Sequence, residues 1–264
     1  MDKFILDKNF EKYKSKKLHL DAYTTKKLGI IVNQTILKIN DFHLYCIPFD
    51  LAMRSCNVIM ILDKKEVGFF TQSFDKIHSI HFVFQNSLYK KPISLFLRCK
   101  IVNLKVMNPE TNHCLVSLEY TAIPNDYKEI LSAIFKRNEA LEFLFKNEQF
   151  RAKELMRNSV KSAKLDDSLH IRTENGSEPL KMLIIKTSMS LLKIIGDDSE
   201  NNYPVNSRVQ IELFYRDDSF FIDGTVAFCN ESQEIPGYVI LDIKLDFSSY
   251  LTDILYQFIK KQAE

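Results

Sequence analysis

Glycine is scarce in this sequence, with six residues in 264, and no two glycines lie within ten positions of each other. The phosphate-binding loops G-x-G-x-x-G and G-x-x-x-x-G-K-S/T need closely spaced residues without a Cβ, so that a phosphate can approach the backbone. The sequence therefore excludes nucleotide binding through either of these two loops.

Cysteine is also infrequent, with five residues and no C-x-x-C pair. An odd number of unpaired cysteines indicates reduced, mostly buried thiols in a cytoplasmic protein. The first eight residues hold three apolar side chains between charges, too few for the core of a signal peptide. No apolar run approaches the ~20 residues of a membrane-spanning helix. We therefore expect a cytoplasmic protein that does not insert into a membrane.

Catalytic and metal-binding signatures are missing as well. The sequence has no H-E-x-x-H, G-x-S-x-G or Cys–His signature. His78 and His81 lie three positions apart in a strand-like segment, so we expect them on opposite faces, where they cannot easily share a metal. Adjacent aspartates at 166–167, 197–198 and 217–218 lie beside turns, where paired carboxylates are usually solvated. We expect neither enzymatic activity nor a bound metal.

The charge is distributed unevenly, although the net charge is only +2. Residues 1–28 and 29–157 each carry a net charge of +4, and residues 158–264 carry −6. Two domains of opposite charge or ordinary solvated surfaces would both produce this pattern. Lysines 12, 14, 16 and 17 alternate with Phe10 and Tyr13. This run is typical of a solvated helix, or alternatively of a segment that contacts nucleic acid or an acidic membrane surface.

An internal repeat defines the architecture. Near the C-terminus, apolar residues first alternate as in a strand and then follow the spacing of a helix. The alternating residues are Val239, Leu241, Ile243 and Leu245, and the helically spaced residues are Leu251, Ile254, Leu255, Phe258 and Ile259. The same plan occurs 123–124 residues earlier, at Val116, Leu118, Tyr120 and Ala122, then Tyr127, Ile130, Leu131, Ile134 and Phe135. Period two indicates a half-buried strand, and spacing i, i+3, i+4, i+7 indicates a helix. We infer two related modules.

Short strand patterns fill the rest of both modules, at Gly29–Ile39, His43–Phe49, Val58–Asp63, Val67–Gln72, Ile80–Gln85, Ile93–Val102, Leu180–Lys186, Leu191–Ile195, Arg208–Tyr215 and Phe220–Phe228. Short strands, turns and one closing helix indicate an antiparallel barrel or sandwich. We predict a mainly β protein with two tandem antiparallel β-barrels, each closed by a C-terminal helix. The predicted parts are a basic segment (1–28), a first barrel domain (29–138), a helical linker (139–157) and a second barrel domain (158–264).

The C-terminal half, about 110 residues from Arg151 onward, has a characteristic order of elements. A basic segment precedes a serine-containing turn, the strand Arg208–Tyr215, the strand FIDGTVAF at 221–228, the strand PGYVILDI at 236–243 and a final helix. This order resembles a PilZ domain. With a related barrel in front, the chain resembles the two-domain PilZ proteins of the YcgR type and their spirochaete relatives. The resemblance implies a cyclic-di-GMP receptor, not an enzyme, that passes a signal to motility, envelope or regulatory partners.

The first family motif, R-x-x-x-R at the domain entrance, holds the ligand's phosphates and stacks on guanine. The matching segment is Lys153-Glu-Leu-Met-Arg157, with Arg151 just before it. The resemblance therefore implies that Arg151, Lys153 and Arg157 bind the ligand. Lysine at position 153 keeps the positive charge but lacks the planar guanidinium that pairs in two places and stacks.

The second family motif, D/N-x-S-x-x-G, matches Lys186-Thr-Ser188-Met-Ser-Leu191, which begins 29 positions after Arg157. Ser188 fits the motif, and the resemblance implies that Lys186 and Ser188 contact the ligand. Lys186 cannot accept hydrogen bonds from a guanine edge as an aspartate or asparagine would. Leu191 replaces the glycine that permits a close approach of the ligand.

The predicted function is that of a cyclic-di-GMP receptor, whose ligand at the linker and second barrel changes the arrangement of the domains and the binding of a protein partner. One alternative is a PilZ-like interaction scaffold that has lost nucleotide binding, which Lys186 and Leu191 favour. Another alternative is a regulator that binds nucleic acid through the basic N-terminal half. The sequence does not identify the partner.

Overall fold

The computed structural model describes residues 3–85, 91–157, 169–173, 180–197, 203–215, 218–233, 235–253 and 256, with the backbone alone at 149–157, 169, 172–173, 213–215 and 218–220. The chain divides into two compact units, unit 1 (Met1–Arg137) and unit 2 (Asn138–Glu264). Both consist mainly of antiparallel β-strands, which confirms the predicted fold class.

Unit 1 has one eight-stranded sheet. Its strands are β1 (Lys17–His19), β2 (Ile36–Ile39), β3 (Phe42–Tyr45), β4 (Ile47–Ala52), β5 (Ser55–Ile61), β6 (His78–Phe84), β7 (Ile93–Asn108) and β8 (His113–Ala122). Its helices are α1 (Lys3–Tyr13), α2 (Ala22–Leu28), α3 (Lys64–Gln72) and the start of α4 (Asn125–Arg157), with a 3₁₀ turn at Val32–Gln34. The strand order is β1-β4-β5-β8-β7-β6-β2-β3.

The two end regions of this sheet are joined by the chain itself. Strand β3 pairs with β2, whereas β4 pairs with β5. Only Cys46 separates β3 from β4, and its N–H donates to the Thr35 carbonyl at 3.2 Å. The segment from β3 to β4 therefore acts as one bent strand, and the neighbours around unit 1 run β3/β4-β5-β8-β7-β6-β2.

Unit 2 contains a closed six-stranded barrel in the order β10-β11-β14-β13-β12-β9. Its strands are β9 (Leu169–Thr173), β10 (Leu180–Thr187), β11 (Leu191–Asp197), β12 (Arg208–Tyr215), β13 (Asp218–Glu231) and β14 (Tyr238–Leu245). At Gly224 on β13, a Cβ would lie 2.7 Å from the Ile243 side chain and 3.1 Å from the Lys244 carbonyl oxygen. The glycine therefore permits β13 and β14 to pack closely.

The predicted repeat is present in the strand order. When β3 and β4 are counted as one strand, each strand of unit 1 except β1, which pairs with β4 alone, has the same neighbours as its counterpart in unit 2. Helix α4 begins at Asn125, and residues 249–253 form the helix that follows β14. Leu118 on β8 and Leu241 on β14, 123 positions apart, are both fully buried. The repeated apolar pattern therefore corresponds to a repeated barrel with a helix after its last strand.

The prediction of a strand at Val67–Gln72 is wrong, because these residues belong to helix α3. The Asp63 carboxylate accepts hydrogen bonds from the N–H groups of Lys65 and Glu66, both at 2.8 Å. The Glu66 carboxylate in turn accepts from the Asp63 N–H at 2.8 Å. This reciprocal capping box satisfies the free donors at the start of the helix and outweighs the strand propensity of the following residues.

The predicted strand at Gly29–Ile39 is also shorter in the structure. Gly29 ends helix α2 with a left-handed φ of 71° and donates its N–H to the Thr25 carbonyl. The 3₁₀ turn then intervenes, and strand β2 begins only at Ile36. The first half of the apolar segment therefore forms the exit from a helix, a conformation that glycine adopts without strain.

The N-terminal residues contribute to the core of unit 1. Leu6 and Tyr13 on α1 are buried, and the Tyr13 ring stacks on Phe135 of α4 with centroids 5.3 Å apart. All five cysteines are free, and Cys229 alone is not fully buried. The prediction of reduced, mostly buried thiols is confirmed.

Candidate functional site

The segment that matches the first ligand motif lies at the end of helix α4. Arg151, Lys153 and Arg157 occupy its last two turns, and Arg157 is its final residue. Their side chains lie outside the described residues. Positions 153 and 157 are four residues apart, a spacing that places them on the same face of an α-helix.

The segment that matches the second motif forms the turn between β10 and β11, which we call the β10–β11 turn (Ser188–Leu191). The Ser188 N–H donates to the Leu191 carbonyl at 2.8 Å. The Ser188 hydroxyl accepts from the N–H groups of Leu191 (2.8 Å) and Ser190 (3.2 Å) and donates to the Leu191 carbonyl (3.2 Å). A hydroxyl has one proton and two lone pairs, so the turn itself uses all three.

Glu148 on helix α4 contacts this turn. One carboxylate oxygen, Oε2, accepts from the Ser190 hydroxyl at 2.5 Å, and Oε1 accepts from the Met189 N–H at 3.2 Å. Ser190 is fully buried. Hydrogen bonds to a charged acceptor contribute more than neutral ones, so Glu148 fixes this part of α4 to the turn. Position 151, where the arginine-containing segment begins, is one helical turn further along α4.

Lys186 lies near the end of strand β10, directly opposite Lys193 on β11. Lys193 is in turn opposite Asp242 on β14, and its ammonium lies 3.1 Å from the Asp242 carboxylate. Both partners of this ion pair are about three-quarters buried. Beside the turn, unit 2 therefore presents two adjacent lysines, Lys186 and Lys193.

Sequence reasoning missed Glu148, Ser190 and Lys193. The position of Lys193 can be predicted if the hairpin turn is centred on residues 189–190, because strand pairing then places Lys193 opposite Lys186. Glu148 gives no such signal, since its role depends on how the helix packs on the barrel. The structure brings Lys186 and Ser188 together in one hairpin and brings the arginine-containing helix to the same turn through Glu148.

The N-terminal basic run does not offer its aromatic rings to a ligand. Tyr13 is fully buried, and the Phe10 ring is covered by the Arg54 guanidinium and the Lys128 ammonium, at 5.2 and 4.9 Å from its centroid. A base therefore cannot stack on Tyr13, and contact of this lysine run with nucleic acid or an acidic membrane surface stays a hypothesis drawn from the sequence.

The two histidines of β6 face opposite sides of the sheet, as predicted. His78 is buried, with Nε2 2.8 Å from the Ser73 carbonyl, whereas His81 lies on the outer face. Among the described residues no cluster of His, Cys, Asp or Glu has the arrangement of a metal site. No helix within the described ranges is long and apolar enough to cross a membrane.

The model of the PilZN3 domain family matches residues 5–138. This match covers half of the chain, and the chain therefore belongs to the PilZN3 family. The matched segment coincides with unit 1 to within a few residues at each end, whereas the sequence motifs that resemble a PilZ domain lie in the C-terminal half. Among curated proteins, none matches the chain significantly.

Several solved structures are similar to the chain along most of its length. PlzA of Borreliella burgdorferi, in complex with c-di-GMP, is 14% identical with a TM-score of 0.47, over 97% of this chain and 98% of that chain. YcgR of Escherichia coli, also in complex with c-di-GMP, is 8% identical with a TM-score of 0.30, over 91% and 87%. The Bacillus subtilis inhibitor of motility, MotI/DgrA, is 8% identical with a TM-score of 0.30, over 88% and 97%.

Proposed function

We propose that the protein is a cyclic-di-GMP receptor whose ligand binds between the end of helix α4 and the β10–β11 turn. The observation that carries this proposal is the pair of hydrogen bonds from the turn to Glu148. They support a site in which the arginine-containing segment and the turn act together, as the two family motifs require.

The proposed roles follow from the chemistry of the side chains. Arg151, Lys153 and Arg157 hold the phosphates, and the arginines stack on guanine, because a guanidinium pairs in two places and has a flat face. Lys186 adds positive charge, and Ser188 acts by holding the shape of the turn. Glu148 supplies an acceptor that Lys186 lacks, since a carboxylate has about four acceptor sites and the turn uses two.

The proposed output is a change in the arrangement of the two units, which alters the binding of a protein partner in the cytoplasm, without catalysis. A ligand shifts such an equilibrium only if it binds one arrangement more tightly than the other. Small-angle X-ray scattering with and without cyclic-di-GMP tests this step. We expect a change in the scattering envelope at saturation, and identical envelopes would contradict the switch.

Calorimetric titration of the full chain with cyclic-di-GMP tests the site itself. We expect binding by the wild type and at least a tenfold weaker affinity for Arg157→Ala, because a charged hydrogen-bonding pair is lost. Lys146→Ala is the matched control, since it removes an exposed cation from the same helix, where it pairs with Glu142 at 2.6 Å. Equal affinities for wild type and Arg157→Ala would contradict the proposed site.

A second candidate function is that of an interaction scaffold without a nucleotide ligand. Two observations favour this alternative. The Ser188 hydroxyl makes all its hydrogen bonds within the turn. The Glu148 carboxylate already accepts from the Met189 N–H and the Ser190 hydroxyl. This alternative predicts no heat and no thermal shift at millimolar cyclic-di-GMP. Either signal, if lost in Arg157→Ala, would exclude it.

A further inference from the structure

A row of four side chains crosses the outer face of unit 1. Strand pairing places Tyr45 opposite Ile36, Ile36 opposite His81, and His81 opposite Phe96, so the row runs across β3, β2, β6 and β7. We call this row the aromatic row. Neighbouring strands lie about 4.8 Å apart, so the row is about 14 Å long. It ends in an aromatic ring on each side.

Both end rings are available to a ligand. Tyr45 is 75% exposed and Phe96 is 67% exposed. The Phe96 ring stacks on the His81 imidazole, with centroids 4.3 Å apart and planes 15° from parallel. This stacking fixes the orientation of Phe96 while one face of its ring remains open to solvent.

A second row, two residues further along each strand, carries positive charge. Pairing places His43 opposite Lys38, Lys38 opposite Ser79, and Ser79 opposite Arg98. We call this row the basic row. Neither row contains an acidic residue, and within the described part of the chain Lys38 and Arg98 form no ion pair. Unit 1 as a whole has 21 Lys and Arg against 13 Asp and Glu.

We infer that this outer face binds single-stranded nucleic acid, with bases stacked on Phe96 and Tyr45 and phosphates beside Lys38 and Arg98. Base stacking on aromatic rings beside a positively charged track is how proteins bind single strands without sequence preference. Aromatic rings and arginine are enriched in protein interfaces as well, whereas lysine is depleted there, so Lys38 is the residue that favours nucleic acid over a protein partner. The rings of α1 take no part, since Tyr13 is buried.

Fluorescence anisotropy with labelled 12-nucleotide oligo-dT and oligo-U at low salt tests this inference on the full chain. We expect binding of at least one of the two. Phe96→Ala is expected to raise the Kd by roughly five- to a hundredfold, the range that alanine substitution of a stacking ring produces. The matched control is Phe221→Ala, which removes a 63%-exposed ring from a strand of unit 2 and should leave the Kd unchanged.

The salt dependence tests the basic row separately. Each phosphate contact contributes about −0.7 to the slope of log K against log salt for a single strand. Lys38→Ala and Arg98→Ala should each reduce the magnitude of the slope by about 0.7, whereas Lys105→Ala, further along β7, should not. Circular dichroism verifies that the variants are folded.

Four results would overturn the inference. The first is the absence of binding to both oligonucleotides at low salt. The second is an equal loss of affinity in Phe96→Ala and Phe221→Ala. The third is equal affinity for a 12-base-pair duplex, whose stacked bases are not available to the rings. The fourth is binding to anionic phosphatidylserine vesicles that Phe96→Ala weakens to the same degree as oligonucleotide binding. The inference does not depend on cyclic-di-GMP, so Arg157→Ala is expected to bind the oligonucleotides normally.

Discussion

A row of four paired residues on the outer face can be compared between the two units, because the row crosses corresponding strands in both. In unit 1 the row holds Tyr45, Ile36, His81 and Phe96; in unit 2, pairing across β10, β9, β12 and β13 places Lys181, His170, Glu212 and Phe221 in the corresponding order. Both rows end in an exposed phenylalanine, on β7 or β13. The other three residues are Tyr, Ile and His in unit 1 and Lys, His and Glu in unit 2.

This difference changes the charge of the outer face between the two units. In unit 2 the Glu212 carboxylate lies 3.7 Å from the His170 ring, and a carboxylate beside the remaining phenylalanine repels a phosphate. In unit 1 the residue opposite the end phenylalanine is His81, which stacks on Phe96. The two units share a strand order around buried apolar residues, whereas these outward-facing residues differ in charge.

The largest expected contrast between the units is in thiol reactivity. Burial raises the pKa of Cys46 and of Cys99 in unit 1 to about 12, and it raises the pKa of Cys56 and Cys114 as well. Because the thiolate is the nucleophile, a rise of three units lowers its population about a thousandfold. We expect Cys229 alone to react rapidly with iodoacetamide in the native protein, and all five thiols to react in urea.

The same pKa shifts determine the sign of a pH effect. A thiol whose pKa is higher in the folded state stabilises the fold fully below its unfolded pKa, near 9, and loses this contribution as the pH rises toward 12. Unit 1 should therefore lose stability above about pH 9, as measured by urea unfolding at several pH values. Rapid labelling of several native thiols, or unchanged stability at pH 10.5, would contradict this account.

The next contrast concerns the two cores. Leu118→Ala and Leu241→Ala truncate side chains at equivalent positions of β8 and β14, both fully buried. Each should lower the free energy of unfolding by about 2–5 kcal/mol, because a cavity remains in a packed interior. Leu183→Ala, at a half-exposed position on β10, is the control. An effect below about 1 kcal/mol at either buried site would mean that the repeat does not place these residues equivalently.

A smaller effect is expected at the contact between α4 and the β10–β11 turn. Glu148→Ala leaves the Met189 N–H and the buried Ser190 hydroxyl without their acceptor, at a cost of about 1–3 kcal/mol. Glu148→Gln retains an acceptor oxygen and should cost less. Thermal unfolding measures both, with Glu142→Gln on the same helix as the control. Equal stability of the wild type and Glu148→Ala would show that the turn does not depend on this contact.

The smallest predicted effect concerns the cap of α3 in unit 1. Asp63→Ala removes the acceptor for the Lys65 and Glu66 N–H groups and should destabilise the protein by about 1 kcal/mol. Asp63→Asn retains an acceptor at the cap and should be nearly neutral. Urea unfolding monitored by circular dichroism measures the stability of both variants. Equal stability of Asp63→Ala and Asp63→Asn would contradict the role of Asp63 as the cap of α3.

The sequence predicts those parts of the fold in which local pattern and burial agree. Strand β12 was predicted at its exact bounds, Arg208–Tyr215, because its alternation is strict. The repeat was recognised because the same inward-facing positions recur on β8 and β14. Helix α3 was not predicted, because the Asp63–Glu66 capping box determines its start and the pattern of the six residues Val67–Gln72 does not distinguish a helix from a strand.

The candidate site is less accessible to sequence reasoning. The position of Lys186 in a hairpin and the helical environment of Arg157 follow from local pattern, and both agree with the structure. The contact of Glu148 with the turn joins residues 41 and 42 positions apart, and the aromatic row depends on the register of four strands. Such juxtapositions arise from tertiary packing, which no local motif encodes.

The most direct test of the account is a crossed binding measurement on two variants, with cyclic-di-GMP and oligo-dT or oligo-U titrated separately into Arg157→Ala and Phe96→Ala. The account predicts that Arg157→Ala loses affinity for cyclic-di-GMP alone and that Phe96→Ala loses affinity for the oligonucleotide alone. Loss of both ligands in either variant, or of neither ligand in both, would contradict a division of binding between the two barrels.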